Sequence, residues 1–375
     1  MKLETCEKIC HGPLAKGCDL CVKGEKSVIF VTGFCHYTCF YCPISDDKRG
    51  KDIVKVNEHI ITNPDEEEGL EQLFSEIEKC QSKGASLTGG DPLAKLDRSI
   101  KYIKALKEKF GNDFHIHLYT SLPFVTQEAI MKLEDAGLDE IRFHANMEDM
   151  DSWVKLLFAE DLSIDVGVEI PAIPGMIEKT KEFIHFCKNT GIIKFVNLNE
   201  LEYSDVSENK LTEKGYVVKD LLSYGIRKSE ELAKELVDFG KTVGIPVHYC
   251  SAGFKDGVQL SNRLRLRSET VAKEYDLEDD EGMLTRGEIK ALEGKSVDLE
   301  AIRLELQEDF DIPVELIENE GKRLLIASWI LQELVPELRE PEKDEIVRDW
   351  VEDLEFAIVK EYPTDDHFLL EKDIL

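Results

Sequence analysis

The stretch SVIFVTGFCHYTCFYCPIS, residues 27–45, carries two signals back to back. Its opening run, Ser27–Thr32, is apolar and β-branched, which predicts a buried strand. Directly beyond it lie three cysteines spaced Cys35-x3-Cys39-x2-Cys42. Three thiolates gathered in one loop can hold three corners of a cubic [4Fe–4S] cluster. The next cysteine along the chain is Cys80, so no local fourth ligand is evident and one iron is left open. The competing reading is half of a structural zinc site, which normally takes four protein ligands.

Outward from this segment the same kind of run recurs: Ala85–Leu87, Phe114–Leu122, Glu140–Ala145, Ile164–Ile170, Ile193–Leu198 and Ile245–His248. Amphipathic stretches separate the runs, at Glu68–Lys79, Arg98–Phe110, Gln127–Ala136, Ser152–Ala159 and Lys179–Asn189. Such alternation predicts parallel βαβ units, hence an α/β sheet or barrel. Seven strands do not suit a complete eight-fold barrel. The rhythm changes after about residue 256, so three regions are expected: a Cys-rich segment 1–25, a core 26–255, and a mostly helical acidic domain 256–375. Arg323–Leu334 is its clearest buried helix candidate, and the boundary falls between 256 and 280.

Charge and cysteine usage narrow the function. The 375 residues include 77 acidic and 47 basic side chains, a net charge of −30, and −20 of that lies in 276–375. This field repels phosphate backbones and disfavours nucleic acid as a partner. Lys255, Arg263, Arg265 and Arg267 read as a solvated helix rather than an RNA-binding patch. No apolar run is long enough for a membrane span, and the opening MKLETCEK has no signal-peptide character, so a cytoplasmic chain is expected. Of ten cysteines, seven fall within the first 42 residues, which reads as metal ligation in a reducing compartment. Cys6, Cys10, Cys18 and Cys21 supply four soft ligands as C-x3-C-x7-C-x2-C, and Gly12, Pro13 and Gly17 let the chain double back. They predict a second metal centre, either zinc or an auxiliary iron–sulfur cluster. Free thiols near a terminus, or Cys18 or Cys21 serving as fourth ligand to the first cluster, are the alternatives.

With these residues in view, GFCHYTCFYCPIS resembles the signature of the radical S-adenosylmethionine (SAM) superfamily, with Tyr41 directly before the third cysteine. Leu87-Thr-Gly-Gly-Asp-Pro92 resembles that superfamily's Gly-Gly-Glu-Pro motif, with Asp91 in place of Glu. The resemblance covers about residues 26–250 and is closest to archaeal proteins related to pyruvate formate-lyase activating enzymes. It implies a partial (β/α)6 barrel whose [4Fe–4S] cluster, on Cys35, Cys39 and Cys42, binds SAM and cleaves it to a 5′-deoxyadenosyl radical. It further implies a ferredoxin- or flavodoxin-like electron donor, Tyr41 near the adenine, and Gly89 and Gly90 close to the methionine. Auxiliary clusters in that superfamily tilt the N-terminal site toward iron. The substrate is left open. A non-catalytic iron–sulfur or zinc protein, such as an electron carrier or redox regulator, and an RNA-modifying radical SAM enzyme are the other readings.

Alternation along the strands predicts which side chains face a cavity. His115, His117 and Tyr119 share one face, as do Arg142, His144 and Asn146, Asp165 and Glu169, and Asn197 and Asn199. Parallel strands are usually apolar on both faces, so half-polar ones suggest a wet interior. SAM or substrate contacts are therefore expected at Tyr41, Gly89, Gly90, Asp91, His117, Tyr119, Arg142, His144, Asn146, Glu169, Asn197 and Asn199. Glu169, His144 and Cys250 are the catalytic candidates. The region after 276 has no cysteine and only His367, and it is expected to be a lid or partner-docking module.

Overall fold

The computed structural model describes residues 9–203, 210–220, 224–339 and 348–375. The chain divides into two compact units, Met1–Arg263 and Leu264–Leu375.

The first unit is built on seven parallel strands: β1 (Lys26–Thr32), β2 (Gly84–Gly89), β3 (His115–Ser121), β4 (Glu140–His144), β5 (Asp165–Ala172), β6 (Phe195–Glu200) and β7 (Val247–Cys250). They hydrogen-bond in sequential order from β1 to β7, and the curved sheet does not close between those two. Short antiparallel strands cap both edges: Cys10–His11 on β7, and Lys55–Val56 with His59–Ile60 on β1. The outward face is apolar, with Ile29, Leu87, Leu118, Phe143, Val168, Leu198 and Val247 buried. Onto it pack helices whose apolar residues recur every three or four positions, such as Leu70, Leu73 and Ile77 in Glu67–Lys79. Between β4 and β5 the expected α-helix is a 3-10 helix, Met150–Ala159. Its buried Trp153, Leu156 and Ala159 repeat every third residue, which suits three residues per turn. The helix Lys16–Val22 sits at the floor of the barrel. Leu20 fills the space left by the missing Cβ of Gly84, and the Gly17 amide donates to Glu140 Oε2 at 3.3 Å.

The second unit is not mostly helical. A six-stranded antiparallel sheet centres on Leu284–Ala291 and Leu354–Glu361, with helices Leu299–Asp309 and Ser328–Arg339 contributing to its core. The stretch 323–334 splits into a strand, Leu324–Ile326, and the start of the second helix. Strands with Lys, Arg or Glu at three of eight positions, as in Leu284–Ala291 and Leu354–Glu361, resemble exposed helix in composition. The basic cluster is not a solvated face either. Arg263 pairs with Glu58 and donates to Asn57 at 3.1 Å in the first unit. Arg267, 2% exposed, pairs with Asp365 at 2.7 Å in the second. Lys255 pairs with Glu202. Each of these three cations is committed to a carboxylate, while Arg265 is exposed. Among the described residues, no helix is long and apolar enough to cross a membrane.

Candidate active site

Every one of the seven strands, or the loop that follows it, lines one cavity of about 550 Å³ at their C-terminal ends. That is where a parallel α/β sheet ordinarily binds ligands. Cys35, Cys39, Tyr41 and Cys42 come from the loop after β1, and Gly89 and Gly90 from the end of β2. Tyr119, Arg142, His144, Glu169, Asn197 and Asn199 follow from β3 to β6, with His248 and Cys250 from β7.

The cysteine loop is held from two sides. Gly90 and Asp91 donate backbone hydrogen bonds to the carbonyls of Thr32 and Phe34, both at 2.7 Å. A Cβ on Gly89, whose φ is +132°, would lie 2.4 Å from Thr32 O, and one on Gly90 2.2 Å from Phe34 O. Glycine is required here because two backbones touch, a closer reason than approach to a ligand. The Asp91 carboxylate is fully buried and accepts from Leu93 N at 3.0 Å, Thr120 Oγ1 at 2.8 Å and Ser121 N at 2.8 Å. It ties the strap to β3 and does not line the cavity. On the other side, Phe40 stacks on Tyr216, with ring centroids 6.1 Å apart, and its carbonyl accepts from Lys210 N at 3.1 Å.

Cys35, Cys39 and Cys42 face the cavity together. Burial raises the Cys39 thiol to about 11, and the nearby Cys42 and Cys35 add to the rise. A cation beside Cys39 would offset that rise and favour its thiolate. Among the described residues, no group of three or more His, Cys, Asp or Glu is gathered tightly enough to hold a single metal ion. A cubic cluster asks for something else, since each thiolate takes a different iron. Three cysteines on one loop lining one cavity are a donor set of that kind.

A connected polar network covers the inner wall. Arg142 Nη1 donates to Glu169 Oε2 at 2.8 Å and to Tyr119 OH at 3.2 Å, and Nε pairs with Glu140. The amides of Asn199 and Asn197 donate to Glu169 at 2.9 and 3.2 Å. Burial would raise the Glu169 carboxyl, but Arg142 and the two amides outweigh it and bring it down to about 2. Glu169 is thus a fixed anion. His144 Nδ1 lies 3.1 Å from the Glu169 carbonyl, which can only accept, so Nδ1 carries the proton. Burial holds His144 below its ordinary value, and its neutral Nε2 accepts from Tyr41 OH at 3.0 Å. Strand β4 thereby grips the cysteine loop across the barrel.

Other expected residues fall elsewhere. His117 is fully buried below the cavity, 3.2 Å from Tyr119 OH. Asn146 Oδ1 accepts from Glu148 N at 3.0 Å in the turn beyond β4, away from the cavity lining. Cys6 lies outside the described residues. Cys10 sits on the edge strand opposite His248, whereas Cys18 and Cys21 line the same cavity as the cysteine loop. Sequence reasoning missed Lys26, Ser86, Thr88, Glu202, His248, Lys255 and Gln259 as cavity residues. The position of Lys255 and Gln259 just past the end of β7 was the one usable signal.

The chain is similar to known proteins in its sequence. The radical SAM superfamily is matched over residues 29–187, and a domain of unknown function (DUF8061) over 282–373. A protein of Methanocaldococcus jannaschii, provisionally named as a glycyl-radical enzyme activating enzyme, is 37% identical over 355 residues, 90% of this chain and 89% of that one. Among solved structures, methylornithine synthase aligns at TM-score 0.40 and 13% identity, over 63% of this chain and 79% of its own. A dipeptide epimerase of Enterococcus faecalis aligns at TM-score 0.33 and 12% identity over 55% of this chain, which spans about half (49%) of the epimerase chain. With two motifs bound to one another at the mouth of the barrel and a relative of this kind matched over nine-tenths of the chain, the chain is an enzyme of the radical SAM superfamily, related to the glycyl-radical activating enzymes.

Proposed function

We propose that Cys35, Cys39 and Cys42 hold a [4Fe–4S] cluster whose open iron takes SAM, and that the hydrogen removed from substrate comes from a glycine of a partner protein. One observation carries the first half: the three thiols, the Gly89–Gly90 strap and the Arg142–Glu169 network line a single cavity. The second half is supported by the name of the M. jannaschii relative. A reduced cluster held by Cys35, Cys39 and Cys42 would supply the electron for splitting SAM to methionine and a 5′-deoxyadenosyl radical. The chain's own residues orient and exclude water. The ionised Glu169 offers its cavity-facing side to a hydroxyl or cationic group of SAM, and Tyr41 fixes the loop beside it. The electron comes from a ferredoxin- or flavodoxin-like donor.

Anaerobically reconstituted protein with dithionite and SAM is expected to release 5′-deoxyadenosine, and a Cys35/Cys39/Cys42 triple-Ala variant to release none. In an extract of cells grown on α-deuterated glycine, the 5′-deoxyadenosine should carry deuterium. Undiminished turnover in the triple variant would end the cluster assignment. Product without deuterium would end the glycyl assignment alone.

A further inference from the structure

We propose that Cys10, Cys18, Cys21 and Cys250 hold a second iron–sulfur cluster against the inner wall of the barrel, with Cys250 taking the place that spacing along the chain gives to Cys6. Cys18 and Cys21 are one turn apart on the helix Lys16–Val22, hence on one face, and both line the cavity. Cys250, the last residue of β7, lines it too, and Cys18 and Cys21 are near enough to act on its charge. Cys10 stands directly opposite His248 in antiparallel register. Opposed residues share a face of the sheet, and His248 shares its face with Cys250 two positions on. Three separate elements thus bring four thiols to one side of the β7 edge.

The surroundings are those of ligating sulfur. Asn197 Nδ2 donates to Cys18 Sγ at 3.2 Å and Gln259 Nε2 to Cys250 Sγ at 3.5 Å. Arg142 is 2% exposed and its Nη2 has no hydrogen-bond partner, although it borders Gly17, the residue before Cys18. N–H donors and a buried cation around the thiolates are what stabilise a negatively charged cluster. The alternative occupant, zinc, would draw all four sulfurs to one point, and among the described residues no group of three or more His, Cys, Asp or Glu is gathered tightly enough to hold a single ion. With four cysteine ligands the group has no iron free for SAM, so it can only hold or pass an electron. It stands independently of the first cluster.

The test uses the full chain carrying Cys35, Cys39 and Cys42 changed to Ala, reconstituted anaerobically with iron and sulfide. About four irons and four sulfides per chain are expected, with the absorption and EPR signals of a [4Fe–4S] cluster. Adding Cys250→Ala should bring iron below about one per chain, while adding Cys6→Ala or Cys187→Ala should leave the full content. Cys250→Ser, which keeps the size of the side chain, should shift the EPR signal if the cluster survives, and circular dichroism checks the fold of each variant. Full iron in Cys250→Ala, loss of iron in Cys6→Ala, one zinc in place of iron, or no metal in a natively folded triple-Ala chain would each overturn the proposal.

Discussion

Two sheets in this molecule carry charged side chains on one face, and they use them in opposite ways. In the C-terminal unit Arg323 bridges Glu288 and Glu361 at 2.9 and 2.6 Å, and Lys372 bridges Glu288 and Glu355 at 2.8 and 2.7 Å. Its buried atoms without a hydrogen-bond partner, Arg286 Nε and Asp276 Oδ1, still lie 2.7 Å apart as an ion pair. The set closes on itself. In the barrel, Arg142, Glu169 and the two asparagines pair only partly, and Arg142 Nη2 and His117 Nδ1 are buried with no hydrogen-bond partner. Alternation of polar and apolar residues therefore does not by itself mark a binding site. What marks it is a curved parallel sheet whose inner faces cannot reach one another, so that polar groups from several strands gather around one cavity.

The largest effect that would break this contrast is Arg142→Met. It removes the cation between Glu140, which is fully buried, and Glu169. Breaking a buried ionic network from one side typically costs about 3–5 kcal/mol, and urea unfolding of the variant should show a loss of that size. A loss within about 1 kcal/mol would mean that the inner network does not hold the barrel together.

Much of the barrel was legible because parallel strands covered by helices must be β-branched, and all seven runs became strands at nearly the expected residues. Parity along β3 to β6 likewise indicated Tyr119, Arg142, His144, Glu169, Asn197 and Asn199, which do line the cavity. It failed at His117, which lies below the cavity, and at Asn146, beyond the end of β4, where strand parity no longer applies. The C-terminal sheet was illegible because its strands pair antiparallel and its two long central strands carry Lys, Arg or Glu at three of eight positions. The gathering of Cys18, Cys21 and Cys250 was invisible for another reason: more than two hundred residues separate the pair from Cys250. Only the tertiary fold, which sets the helix Lys16–Val22 and the end of β7 on one cavity, brings them together.

A middle-sized effect sharpens the comparison from the other side. Arg323→Met in the C-terminal unit leaves Glu288 and Glu361 without their bridge, but Lys372 still serves Glu288 and Arg286 lies 3.9 Å from Glu361. Because those partners persist, a cost of about 2 kcal/mol is expected, below that of Arg142→Met. Formation of 5′-deoxyadenosine should be unchanged. If it fell together with stability, the saturated network would have a part in the chemistry and the contrast between the two sheets would fail.

The smallest effect probes the grip between β4 and the cysteine loop. Tyr41→Phe keeps the ring against His144, 5.9 Å between centroids, and removes only the hydroxyl that donates to Nε2. Leaving a buried acceptor unpartnered should cost about 1 kcal/mol. The sign of its pH dependence follows from His144, whose folded-state value is lowered by burial. Below about pH 6.5 the unfolded chain protonates this histidine before the fold does, so stability is full above that pH and is lost as pH falls toward the folded value. Protonated Nε2 can no longer accept from Tyr41, so wild type and variant should converge in acid. Chemical unfolding at about pH 8 and about pH 5 checks this, with the difference between the two proteins shrinking at the lower pH. A difference that stays constant over that range would show that the hydroxyl acts through something other than neutral His144, and that strand β4 does not hold the loop by this bond.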